Sequence, residues 1–526
     1  MTIQSPRELG FPAKFDRWRP PQLDALRRLL SSTKRVKALT APTGFGKTAV
    51  YMAYALITKI PTCFVTSSRA LQDQLMEDFR GCGLVDLRGR RNYVCDMRPD
   101  TTCEEGYAAR CPYKGTVSCP STQAEMRAAC SPLVVTNYTK WTSARKFGQG
   151  MEHFQQVVFD EGHEAPHALA DSVQVILNRH EIEDTLGLDF PDASQAEDFV
   201  NWKPWAILAR AKADEALHAA KSAMQNYPDK PSYVRHYLHM RNLTRRLVSV
   251  ASGNPNNWIA DTWEEQRGKA THTGYVFDPI RPGKFAEAAL LLRVPSILVV
   301  SATLRPKTLY MMGVSKEAHD YYEYASDFDP KRCPIYYVPT MRVDNKAQDF
   351  GALWVKHDQI AARRRDRKGI VHTVSYARQQ EARVASRYAD WMLLNYKGEA
   401  AGEMVNAFKQ SGPGTILVSP SVGAGYDFPG KDCEWQLLLK IPFPNGHTKI
   451  HRARQQDDPE YGAYLAMNKM VQTFGRGMRS KHDQCENFIV DSHLDWFLPR
   501  FGHLAPKWFH GFFKQVSVLP APPPKL

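Results

Sequence analysis

The sequence predicts an α/β protein of several domains built around two parallel sheets, on three observations. At 526 residues the chain exceeds what one core ordinarily supports. Short β-branched runs recur in two groups, with helical patterns such as "TAVYMAYALI" and "RALQDQLMEDF" between them. These runs are continuously apolar, as strands covered on both faces must be.

The first group is "VKALTAP", "TCFVTSS", "LVVTNY", "QVVFDEG" and "SILVVSATL", all within the first 305 residues. Between its fourth and fifth strands lies an insertion over 171–290 with apolar residues at helical spacing, Tyr237, Met240, Leu243, Leu247 and Val250 among them. It predicts a mostly helical subdomain. The second group is "GIVHTVS", "GTILVSP", "QLLLKIPF" and "NFIVDS". The tail "LPAPPPKL" is Pro-rich and predicts disorder over 516–526.

Lys and Arg outnumber Asp and Glu by 69 to 55, a net charge of +14, which suits a polyanionic partner or simple solubility. The start "MTIQSPRELGFPAKF" lacks a charged-then-apolar signal pattern, and the longest apolar run is broken by Arg293 and Pro295. The expectation is a soluble, intracellular, cytoplasmic protein without a membrane partner.

Of the ten cysteines, Cys63, Cys333, Cys433 and Cys485 lie in or beside apolar segments and predict small buried hydrophobes. Cys95, Cys103, Cys111 and Cys119 differ, following one another at equal steps through a polar stretch. Eight residues of straight helix span about 12 Å, too far for neighbouring ligands of one compact centre, so the segment must fold back. Pro99, Gly106, Pro112, Gly115 and Pro120 supply the breaks. Structural zinc favours pairs two to four residues apart, which this stretch lacks. Iron-sulfur clusters tolerate looser loops. On spacing alone, iron-sulfur, zinc and plain reduced thiols all stay open.

"APTGFGKTAV" follows a predicted strand and opens a predicted helix, the context of a phosphate-binding loop. Thr43, Gly44 and Gly46 bring backbone amides toward phosphate, Lys47 can reach the β and γ phosphates, and Thr48 can bind magnesium. Ala41 stands where glycine is commonest. In "QVVFDEGHEA" an acidic pair ends a strand, where Asp160 can hold magnesium and Glu161 can orient and deprotonate water. His163 follows. In "VQTFGRGMRS", with Gln472, Gly475, Arg476 and Arg479, a helix would put Gln472, Arg476 and Arg479 on one face, two guanidiniums toward a γ-phosphate.

With these motifs in order, the chain resembles the superfamily 2 helicases of the XPD/DinG type, the iron-sulfur DNA helicases. The resemblance also rests on Gln22 in "RPPQLDAL", "TSSRALQDQL", the cysteine stretch, "VVTNY", "SATL", "GIVHTVSYA", "VGAGYDFPG" and "KIPFPN". It implies two RecA-like motor domains (1–90, 131–170 and 291–306; then 307–515), an iron-sulfur domain (91–130) and a helical arch (171–290). It implies that Gln22 recognises adenine, that Asp427 lies near the nucleotide and that His163, Ser301 and Thr303 couple hydrolysis to movement. Arg476 and Arg479 would be arginine fingers. Ser67, Arg69, Asn137 and Tyr138 would lie along the DNA path. Gly162 replaces the alanine of the family's "DEAH", a change expected to be harmless.

For the cysteines, the resemblance implies a 4Fe-4S cluster on Cys95, Cys103, Cys111 and Cys119. It places the last ligand well ahead of the "VVTNY" strand, as Cys119 is and Cys130 is not; Cys130 is then expected to be a buried spectator. The implied activity is an ATP- and magnesium-dependent DNA helicase, monomeric, moving 5′ to 3′ on single strands and opening duplex or forked DNA. The alternatives are an ATP-driven translocase without strand separation and a zinc-containing nucleic-acid-binding adaptor.

Overall fold

A computed structural model of the chain describes residues 3–104, 112–113, 115–146, 151–227, 231–267, 270–326, 329–343, 349–394, 401–423, 426–444, 446, 448–478 and 482–524. Two seven-stranded sheets dominate it, and every strand pair within both is parallel.

The first sheet runs in space His319–Glu323, Val36–Thr40, Ser296–Ser301, Gln156–Asp160, Thr62–Thr66, Leu133–Asn137, Val85–Asp86. Its central strands are buried at nearly every position, so alternation would serve no purpose and the sequence shows none. All five runs of the first group are here. The expected close of this domain at residue 306 needs correction, because His319–Glu323 pairs with Val36–Thr40 and extends the sheet. That strand, "HDYYE", is half-buried along its length and too polar to stand out.

The second sheet runs Met392–Leu394, Ile416–Ser419, Gly369–His372, Trp435–Leu438, Glu486–Asp491, Ile335–Met341, Phe513–Gln515. It contains the four runs of the second group and three strands the sequence did not single out. The strands of each sheet point their C-terminal ends at a common edge, where ligands bind in folds of this kind.

The insertion carries helices Phe199–Asn226 and Pro231–Ser252, packed against each other. Met240, Leu243, Leu247 and Val250 are fully buried against Ala206, Ala209 and Ala213, whose small side chains let the helices close. Beneath them lies an antiparallel sheet of Val175–Asn178, Ala270–Pro279 and Trp258–Arg267 that the helical reading missed.

The tail corrects another expectation. Val516 donates its amide to the Tyr337 carbonyl at 3.0 Å, and Leu519 is buried. The carbonyls of Leu519, Pro520 and Pro523 accept hydrogen bonds from Arg363, Arg364 and Arg367. A proline-rich strand lacks donors but keeps every acceptor, and a run of arginines beside it supplies the rest. No helix among the described residues is long and apolar enough to cross a membrane.

Candidate active site between the two sheets

The loop after Val36–Thr40 turns through Gly44 and Gly46, both at φ near +80°, and delivers helix Lys47–Thr58. Lys47 Nζ donates to the carbonyls of Ala41 (3.0 Å) and Pro42 (3.3 Å), holding its ammonium inside the loop's concavity. Gln22 is buried behind the loop, donating to the Phe45 carbonyl (2.9 Å) and accepting from the Arg19 amide (2.9 Å). A Cβ on Gly46 would lie 2.5 Å from Gln22 Nε2, so glycine there satisfies both the turn and the close approach. Arg19, which the sequence did not single out, braces the same loop through the Gly44 carbonyl at 2.8 Å.

Asp160 ends strand Gln156–Asp160, separated from Val36–Thr40 by Ser296–Ser301, and Glu161 follows it. Tyr51 Oη donates to Asp160 Oδ2 at 3.1 Å, and the Glu161 amide to Oδ1 at 3.0 Å. Burial and the adjacent Glu161 charge lift the Asp160 carboxyl to about 6. Glu161 is driven the other way, since burial is outweighed by His163, Lys47 and Arg476, which keep it ionised. Its backbone is left-handed at φ 48°, a strained conformation at the centre of the site. Gly162 is buried, and a Cβ there would come 2.3 Å from Val299 Cγ1. The glycine is matched to a β-branched neighbour, so an alanine there would not fit this chain without a shift.

His163 Nδ1 meets Ser301 Oγ at 2.7 Å and Glu161 Oε2 at 3.3 Å, while Nε2 meets Glu164 Oε1 at 3.1 Å. Burial alone would discharge the imidazole, but the two carboxylates win and hold its pKa up at about 9. Ser301 passes the link on to Glu161 (3.4 Å) and to the Thr303 amide (3.2 Å). The acidic pair and "SATL" are therefore one hydrogen-bonded unit. Trp508, from near the end of the second domain, donates to the Ala302 carbonyl at 3.3 Å and ties this unit across the molecule.

The opposite wall comes from the second sheet. Helix Tyr461–Phe474 stops at Phe474 and passes into a 3-10 turn over Gly475–Gly477, so Gln472 and Arg476 do not share one helical face as expected. Both nonetheless line the same cleft as Thr43, Lys47, Thr48, Asp160, Glu161 and Asp427, a space of about 960 Å³. Arg476 is largely buried, donates to Asp427 at 3.2 Å and faces the charges of Glu161 and Glu164. Arg479 lies outside the described residues.

Of the residues expected along a DNA path, Ser67 is exposed on the cleft and Arg69 is exposed at the start of helix Arg69–Phe79. Asn137 caps the next helix, accepting from the Lys140 amide at 2.9 Å. Tyr138 is buried, stacks on Phe159 and donates to the Asp160 carbonyl at 3.1 Å, so its hydroxyl supports the acidic strand from within.

Cys95, Cys103 and Cys119 line one pocket of about 290 Å³. Cys95 closes the hairpin of Val94–Cys95 with Arg98–Thr102, and Cys119 sits at the N-cap of helix Pro120–Cys130. Burial raises the Cys119 thiol, but hydrogen bonds from Thr122 and the Ser121 amide pull it below the ordinary range, favouring a thiolate. Three sulfurs thus reach one pocket, one of them inclined to ionise. Among the described residues no group of three or more His, Cys, Asp or Glu side chains is set to hold a metal ion, and Cys111 lies outside them. Cys130 is exposed rather than buried, because the helix buries Ser121, Ala124 and Ala128 and the last residue falls off that stripe. Cys63, Cys333, Cys433 and Cys485 are buried, as their apolar settings predict.

Comparison with known proteins agrees with this geometry. Residues 361–512 match the family model "Helicase C-terminal domain", and residues 16–188 match "Type III restriction enzyme, res subunit". A Bacillus subtilis (strain 168) protein named 3'-5' exonuclease DinG is 21% identical over 258 residues, 44% of this chain and 27% of the relative. The chain thus matches about a quarter of that relative's length. Among solved structures, an XPD helicase superposes with a TM-score of 0.64 at 13% identity, covering 95% of this chain and 100% of the other. Xpd4 of S. tokodaii gives 0.58 at 13%, with the same coverages. These two structures bear on the fold alone. The family matches fall one on each parallel sheet, on the segments that face each other across the cleft, and the chain is similar to the superfamily 2 helicases of the XPD/DinG type.

Proposed function

We propose that the protein is an ATP-dependent DNA helicase that moves along single-stranded DNA from 5′ to 3′ and separates duplex or forked DNA, acting as a cytoplasmic monomer. The observation that carries this reading is the cleft itself: Lys47, Thr48, Asp160 and Glu161 come from one sheet, Gln472 and Arg476 from the other. A nucleotide held there touches both domains, so binding it draws them together and hydrolysis releases them.

In this reading Lys47 leaves the carbonyls of Ala41 and Pro42 for the β and γ phosphates of ATP, and the amides of Gly44 and Gly46 donate to phosphate oxygens. Thr48 and Asp160 would hold magnesium, which supplies neutralisation of phosphate charge. Glu161, kept ionised by His163, takes a proton from the attacking water. Arg476 neutralises charge on the γ-phosphate from across the cleft. His163, Ser301 and Thr303 relay the change of charge at Glu161 into the "SATL" turn and, through Trp508, into the second domain. Ser67, just past strand Thr62–Thr66, and Arg69, at the start of the following helix, would grip backbone phosphates of DNA without reading sequence. The resemblance supplies the polarity.

The same reading assigns Cys95, Cys103, Cys111 and Cys119 to a 4Fe-4S cluster, whose contribution is a rigid crosslink for a strand-parting wedge. The exonuclease named in the Bacillus relative is not carried over, since most of that protein has no counterpart in the match.

Anaerobically purified protein assayed on duplexes with 5′ or 3′ single-stranded tails tests the reading. Separation of 5′-tailed duplexes, with iron and sulfide bound and lost in Cys103→Ser, is expected. ATPase stimulated by single strands with no strand separation on either tail makes the protein a translocase only. Zinc without iron, and activity indifferent to Lys47→Ala, would favour the adaptor.

A further inference from the structure

The insertion over 171–290 is held at two places. Its stem belongs to the first domain: Trp141 Nε1 donates to the Leu290 carbonyl at 2.7 Å, and Ala286 and Ala289 are buried in that domain's core. The chain leaving it passes so close to Gly313 that a Cβ there would lie 2.3 Å from the Gly283 carbonyl oxygen. Its flank, however, is tied to the second domain, along one short helix, Lys449–Asp457.

That helix buries none of its own residues, so packing does little to hold it. Its two ends are instead engaged by the insertion. At the N-terminus the Lys449 amide donates to Asp261 at 2.8 Å. At the C-terminus Arg281 Nε donates to both Asp457 oxygens, at 2.9 and 2.8 Å. Acid at the start and base at the end is the arrangement the helix dipole favours. Between them Arg454 reaches back to the Pro279 carbonyl at 3.0 Å. The helix leads into Tyr461–Phe474, joined by the Gly462 amide to Gln455 at 2.8 Å, and that second helix carries Gln472 and leads directly to Arg476. Beside these ties lies a void of about 320 Å³ walled by His167, Tyr310, Arg454 and Tyr461, with residues of all three bodies around it. A junction that had to stay rigid would be filled.

We propose that the insertion is a lever worked by the second motor domain: with its stem fixed to the first domain and its flank fastened to helix Lys449–Asp457, closure of the nucleotide cleft tilts it. Cleft closure is taken from the function proposed above; the fastening is independent of it. The same helix therefore reports the position of Arg476 to the insertion.

Spin labels carried on non-natural side chains at Ser222 of the insertion, Glu77 of the first domain and Val384 of the second leave the native cysteines untouched. A single exposed ion pair contributes little, so the test variant removes two contacts, Asp261→Ala with Arg281→Ala. Without nucleotide, the 526-residue protein should give one narrow Ser222–Val384 distance, broadened in the double variant. The charge-swapped pair, Arg281→Asp with Asp457→Arg, should be narrower than Arg281→Asp alone. Equal widths in wild type and double variant overturn the fastening. With ADP and beryllium fluoride, the Ser222–Glu77 distance should shift in wild type and stay put in the double variant. A Glu77–Val384 distance that shortens while Ser222–Glu77 does not move overturns the lever. A Glu77–Val384 distance that never changes contradicts cleft closure instead, and the nucleotide-free widths still decide the fastening.

Discussion

Gly162 and Val299 share a space that holds one side chain and not two. Gly162→Ala should therefore cost about 1–3 kcal/mol, the usual range for overpacking. Val299→Ala in the same chain should recover part of that loss, a coupling read from the melting temperatures of the three variants. Equal additive losses would mean that the two residues do not meet. His163 makes a prediction in pH. Its folded pKa of about 9 lies above the unfolded value near 6.5, so protonation stabilises the fold. That contribution is complete below about pH 6.5 and lost as pH rises through about 9. The stability gap between wild type and His163→Gln should accordingly be largest near pH 6 and shrink toward pH 9, by an amount on the order of 3 kcal/mol. A gap independent of pH would show that the imidazole is neutral throughout. At this scale the sequence was most informative where chemistry allows few substitutes, as at Lys47, Asp160 and Glu161. Tyr51, Arg19 and Trp508 act only through partners far away in the chain, and no local pattern marks them.

Among elements, legibility followed burial. Val36–Thr40 and Ser296–Ser301 are covered on both faces and stand out as apolar runs. Val85–Asp86 and Met392–Leu394 are too short for any period, and Trp258–Arg267 is mostly polar after Ala260, with Trp263 alone breaking the run from Asp261 to Arg267. The tail misled because composition was weighed without its neighbours. Removing residues 516–526 should lower the stability of the second domain by about 1–3 kcal/mol, through loss of Leu519 burial and of acceptors for the arginine run. Arg364→Ala should cost more, about 3–5 kcal/mol, because it strands Glu486, which is fully buried and paired to Arg364 by two bonds of 2.7 Å. A tail deletion that leaves the denaturation curve unchanged would contradict the docking.

Across the whole molecule the two sheets have separate cores, and the cleft lies between them. Its partition between domains could be anticipated because the phosphate loop and "FGRG" lie at opposite ends of the chain yet have no chemistry apart. How the insertion attaches to the second domain could not be, since Asp261, Arg281 and Asp457 are ordinary surface residues until the fold brings them together. The central claim is that one hydrolytic site is built from both sheets. Single-strand-stimulated ATP hydrolysis by Lys47→Ala and Arg476→Ala, alongside nucleotide affinity, tests it most directly. Hydrolysis should fall by about 10²–10³-fold or more in both, with Arg476→Ala still binding nucleotide through the first domain. Hydrolysis by Arg476→Ala at the wild-type rate would contradict a site shared across the cleft.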